Sequence, residues 1–90
     1  MMKSVKVGQL VKSRSGRDKD RYFLVYQVME EKSYVYLVDG EKRSIKNPKL
    51  KNMRHIQVTN KVAEEFAEKI QKKIIPSDRE TRRYLWELLN

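Results

Sequence analysis

Apolar residues recur along this chain in two rhythms, and the rhythm changes once. Up to residue 58 they come as short runs: Leu10-Val11 inside QLVKS at 9–13, YFLVYQVM at 22–29 and YVYLV at 34–38. Runs this short, rich in β-branched and aromatic residues and separated by charged turns, predict strands. The run at 22–29 has almost no polar face, which predicts a central strand covered on both sides. Glu30 to Ser33 reads as a hairpin loop. Asp39-Gly40 predicts a tight turn into a short strand at Arg43-Ser44-Ile45. Asn47-Pro48 predicts a loop through Lys49, Leu50 and Lys51, because proline has no N–H and restricts the residue before it. His55-Ile56-Gln57-Val58 alternates polar and apolar as a half-buried last strand does. Residues 1–6 carry no period and predict a loosely held lead. About five short strands in this space predict a small curled barrel, since closure protects strand edges.

From Thr59 the spacing becomes helical. Val62, Phe66, Ile70 and Ile74 stand four apart as one stripe, with Asn60 as N-cap and Pro76 as terminator. Glu64 and Glu65 at the start and Lys72 and Lys73 at the end suit the helix dipole. Glu65 with Lys69, and Glu68 with Lys72, form favourable pairs four residues apart. Ser77-Asp78-Arg79-Glu80 fits a capping box opening a second helix, whose apolar positions are Tyr84, Leu85, Leu88 and Leu89. Trp86 is expected to pack within the chain, with a partner protein as the alternative. The two stripes need a surface: each other, the barrel or a partner. The expected fold is mainly β with an α tail, a barrel over 1–58 followed by a two-helix hairpin over 59–90.

Composition narrows the function classes. There is no cysteine, so neither disulfides nor thiolate metal ligands are expected, which suits a reducing cytoplasm. The apolar runs are far shorter than a membrane span of about 18 residues, and no signal peptide is read at the start, so a cytoplasmic protein without a membrane partner is expected. The formal charge is +9, which favours a polyanionic partner. Residues 1–58 hold 14 Lys and Arg against 6 Asp and Glu, while 59–90 hold 7 against 6. The polyanion-binding face therefore belongs to the barrel.

Within it, the turn at 12–21 carries Lys12, Arg14, Arg17, Lys19 and Arg21 against Asp18 and Asp20, with Gly16 able to visit positive φ. Gly8, Val11, Ser15-Gly16-Arg17-Asp18-Lys19, Arg21 and the apolar run 24–28 resemble a KOW motif, the strand-loop-strand element of SH3-like barrels in ribosomal proteins and transcription or translation factors. VKSRSGRDKDRYFLVYQV followed by YLVDGEKRSIKNPKLKNMRHI is similar to the small bacterial KOW-domain RNA-binding proteins, and through them to large-subunit ribosomal protein fourteen of archaea and eukaryotes. The likeness spans residues 7–58. Asp20 departs from it, standing where a second glycine is usual; Asp tolerates left-handed backbone, but its charge opposes phosphate.

The resemblance implies an SH3-like barrel that binds RNA, most of all ribosomal RNA of the large subunit, without catalysis and without a cofactor. The candidate RNA-binding residues are Lys12, Arg14, Ser15, Gly16, Arg17, Lys19 and Arg21 in the loop, and Lys42, Arg43, Lys46, Lys49, Lys51, Arg54 and His55 in a second basic segment. Arginine forks and lysine ammonium groups suit phosphate oxygens. Asp18 and Asp20 read as internal ion-pair partners on this crowded loop. Tyr22, Phe23, Tyr26, Tyr34 and Tyr36 read chiefly as core, Tyr22 and Tyr34 being the most open to stacking on bases. His55 is the only histidine, and no nucleophile or buried acid pair points to an enzyme. The competing class is a protein-interaction module whose helical tail docks a ribosomal or translation-factor protein.

Overall fold

A computed structural model describes residues 4–90; the first three residues of the expected lead lie outside the described residues. Five strands form one antiparallel sheet: β1 (Gln9–Ser13), β2 (Tyr22–Met29), β3 (Tyr34–Val38), β4 (Lys49–Asn52) and β5 (Ile56–Val62), in the order β4-β3-β2-β1-β5. Two helices follow, α1 (Glu64–Gln71) and α2 (Asp78–Leu89). The mainly β fold with a helical tail is thus the one expected.

The sheet has two apolar faces, and each is covered differently. Val11, Phe23, Val25, Val35, Leu37 and Ile56 form one cluster, every member almost fully buried. All six come from the strands themselves, so this face is covered by the sheet curling over it, as in a barrel interior. The other face presents Leu10, Leu24 and Val38, which pack with Ala63, Phe66 and Tyr84 of the tail. Phe66 meets Tyr26 and Tyr84 edge-on, with ring centroids 6.4 and 6.2 Å apart. The barrel is therefore the surface that the helical stripes cover. Tyr22 and Tyr26 pack beside Leu24, as their alternation implies.

Several elements depart from the expected pattern. No strand forms at 43–45, because Asp39 takes the backbone donors a strand would use. Its Oδ1 accepts from the N–H groups of Glu41 and Arg43, both at 2.9 Å. Ile45 N–H is held instead by Asp78 Oδ1 at 2.8 Å. Gly40, at φ 79°, passes so close beneath α2 that a Cβ would strike the Asp78 carbonyl and the Arg82 side chain. Conversely, residues 49–52 form strand rather than loop. Pro48 precedes an edge strand, where a missing N–H costs nothing. The alternation of β4 is inverted: Leu50 points outward and is 44% exposed, while Lys51 turns inward and is buried.

The third departure is the boundary at Thr59. Pairing with β1 carries β5 on to Val62, opposite Gln9, aided by Thr59 Oγ1 donating to the Leu10 carbonyl at 2.7 Å. Val62 is therefore strand, Asn60 is no cap, and α1 begins without a side-chain cap at Ala63. His55 falls in a 3-10 turn at 53–55 before β5, and Glu30 to Lys32 form another. Helix α1 also stops before Pro76. Lys73 adopts φ 61°, with Ile74 N–H donating to the Lys69 carbonyl and Lys73 N–H to that of Ile70. Ile74 and Ile75 beyond it are exposed, so the fourth stripe position lies at the surface rather than in the core.

The capping box at Ser77 and Glu80 is formed. Glu68 pairs with Lys72 at 2.8 Å, but Lys69 turns to Glu80 at 2.6 Å and so links the helices. That bond, with the Ser77 N–H, holds the Glu80 carboxyl down at about 2. Glu65 stands instead 4.0 Å from Arg83. Phe66→Ala removes a fully buried ring shared by sheet and helices and is expected to cost about 3–5 kcal/mol. Trp86→Ala removes a ring that is 64% exposed and should shift stability by less than about 0.5 kcal/mol. Urea unfolding of both variants checks this; a small loss for Phe66→Ala would mean that the helices do not share the core.

Candidate functional site

The loop joining β1 to β2 is held in place by hydrogen bonds within the chain. Ser13 and Arg21 close its base, Ser13 N–H donating to the Arg21 carbonyl at 2.9 Å and Asp20 N–H to that of Ser13 at 2.8 Å. Two positions need left-handed backbone, Gly16 at φ 80° and Asp20 at φ 72°. Asp20 thus takes the conformation for which its glycine-like position calls. Its carboxylate turns towards Lys12, 3.9 Å away, and is 71% exposed.

Inside the loop, Asp18 gathers three segments. Its Oδ1 accepts from Ser13 Oγ at 2.7 Å and from Lys51 Nζ at 2.7 Å. Lys51 also donates to the Ser15 carbonyl at 2.8 Å. Burial by itself would raise the Asp18 pKa, but hydrogen bonds from Lys51 and Ser13 outweigh it and the net shift is downward. Lys51 was expected on the binding surface; its ammonium is instead engaged internally and pins the loop to β4. Arg21 has a similar duty, its guanidinium reaching the buried Asp39 at 3.1 Å. Asp18 and Asp20 are the internal ion-pair partners expected of them.

With the loop pinned, the two basic segments converge. Arg17 and Arg21 from the loop, Lys42 and Arg43 from the turn after β3, and Lys49 and Lys51 from β4 surround one cleft of about 470 Å³. Gly16 at its edge leaves the cleft mouth open, with a side chain there meeting only Lys51 Nζ and Asp18 Oδ1 as near neighbours. The remaining candidates stand elsewhere. Arg14 N–H bonds the His55 carbonyl at 2.8 Å, which sets exposed Arg14 beside exposed His55 and Arg54 at the junction of β1 and the 3-10 turn. Lys19 is exposed on the loop and Ser15 gives its carbonyl to Lys51. Lys12 lies over the Tyr22 ring at 5.6 Å. Lys46 sits in the 44–47 turn and does not line the cleft.

A row of cations from three segments, two of them paired with Asp18 and Asp39 and the others exposed or half-buried, can hold the oxygens of a polyanion backbone. Sequence reading missed one exposed feature, Trp86, expected to be packed and found on the surface. The amphipathic spacing of α2 was the available signal, since Trp86 falls outside the Tyr84 and Leu88 stripe. The chain matches no protein-family model and no curated protein.

Lys51→Met leaves the Asp18 carboxylate with Ser13 as its one remaining side-chain donor and no cation, and is expected to lower stability at neutral pH by about 1–3 kcal/mol. Because the Asp18 pKa is depressed in the folded state, the pair stabilises above the ordinary carboxylate range and that contribution fades as pH falls through the folded value. The gap between variant and parent should therefore close below about pH 4. Urea unfolding at neutral and acidic pH checks it, and a gap that persists in acid would show the ion pair to be idle.

Proposed function

We propose that the barrel binds structured RNA through the cleft between the β1–β2 loop and the 42–51 segment, as a binding protein and without catalysis. The observation that carries this reading is the convergence of Arg17, Lys42, Arg43 and Lys49 on one opening, with Arg21 at its edge held by Asp39. Arg17 and Lys42 are exposed and Lys49 half-buried, so their charges are available to phosphate. The surplus of charge in residues 1–58 and the resemblance to KOW-domain proteins point the same way. That resemblance favours ribosomal RNA of the large subunit and a place in the cytoplasm beside the ribosome. Among the described residues no helix is long and apolar enough to cross a membrane. Phosphate contacts supply the affinity, while helix shape and the 2′-hydroxyl separate RNA from DNA.

Binding of labelled large-subunit ribosomal RNA fragments and of a matched DNA duplex across a salt series tests the reading. About four phosphate contacts imply a loss of about 10²-fold in affinity between about 50 and about 200 mM salt. RNA should stay the tighter ligand at the higher salt. Equal binding of DNA would reduce the cleft to a general polyanion attractor, and no binding would transfer the weight to the protein-interaction reading. Arg17→Ala with Lys42→Ala should flatten the salt slope by about 2 while leaving the unfolding curve in place. An unchanged slope would remove the cleft from the interface.

A further inference from the structure

Arg21 also borders a second opening, of about 310 Å³, between the end of the basic loop and helix α2. Its wall is apolar, made by half-buried Leu85 with exposed Trp86 and Leu89. Its rim is acidic, which is unexpected on a chain of net charge +9. Asp20, Asp39 and Glu41 line it against Arg21 and Arg82. Arg21 pairs with Asp39 at 3.1 Å, while Arg82 Nη1 donates to the Gly40 carbonyl at 2.7 Å, which anchors its guanidinium but leaves its charge; three carboxylates thus face two guanidinium groups. The Asp20 and Glu41 carboxylates face solvent, and the nearest cation to Asp20 is Lys12 at 3.9 Å.

An exposed indole in an apolar notch is the residue type most enriched at protein interfaces, and its face attracts cations. We propose that this notch docks a basic, apolar-bearing peptide segment of a protein partner. An Arg or Lys side chain lies on the Trp86 indole with its head group met by Asp20 and Glu41. A neighbouring aliphatic side chain packs against Leu85 and Leu89. The excess of carboxylates, with those of Asp20 and Glu41 exposed, selects this occupant over nucleic acid, whose phosphates they would repel. The notch is separate from the cationic cleft in all its free charges, so the proposal stands whether or not the cleft binds RNA.

Trp86 is the only tryptophan of the chain, so its emission reports the notch alone. The full chain is titrated with a short peptide alternating Arg and Leu, with the same peptide carrying Glu for Arg, and with single-stranded oligouridylate. A saturable change in emission with the Arg peptide alone is expected. Asp20→Asn with Glu41→Gln should weaken that binding about fivefold. Trp86→Ala, followed by anisotropy of the labelled Arg peptide, should weaken it about thirtyfold. No saturable change with the Arg peptide, equal binding of the Glu peptide, or insensitivity to either variant would overturn the proposal. A saturable response to oligouridylate in place of the peptide would overturn it too, by assigning Trp86 to base stacking.

Discussion

One small sheet with two apolar faces is the constraint from which the rest of this structure follows. A chain of 90 residues has no second sheet to lay over it, and either face left open would be a large apolar patch. Curling hides one face, and this requires β1 to pair on both sides, with β2 and with β5. The second face is then left for the tail, and Phe66 and Tyr84 fill it against Leu10, Leu24 and Val38. Barrel and helices are in this sense one solution, joined further by Asp78 on Ile45 and Arg82 on Gly40.

The same economy governs the charges. A loop holding several cations would be splayed by its own repulsion, and internal carboxylates counter that. Asp18 and Asp39 each hold one cation from a distant segment, Lys51 and Arg21, and in doing so fix where the remaining cations stand. The pairs are poor candidates for ligand contact because they are spent on geometry. Their value lies in ordering the loop beforehand, which removes an entropic cost from any later binding step. Arg21 also divides the surface, with a cationic cleft on one side and an acidic apolar notch on the other.

The sequence by itself determined the strands β1, β2 and β3 to the residue, because their apolar runs are local signals ended by charged turns. It also determined the capping box of α2, which is a contact within four residues. The left-handed turn at Asp20 was legible for the same reason, as a property of one residue and its place in a loop. Long-range partners decided the rest. Lys51 reads as an RNA-facing loop cation until Asp18, 33 residues away, takes its ammonium and makes inward-facing lysine compatible with a strand. Val62 fits a helical stripe until Gly8 and Gln9 offer it and Ala63 a strand to pair with. Trp86 was placed on the surface by the width of the stripe that α2 can bury against the sheet. In each case the local pattern permitted two conformations, and the hydrogen bond or contact that chose between them came from residues far along the chain.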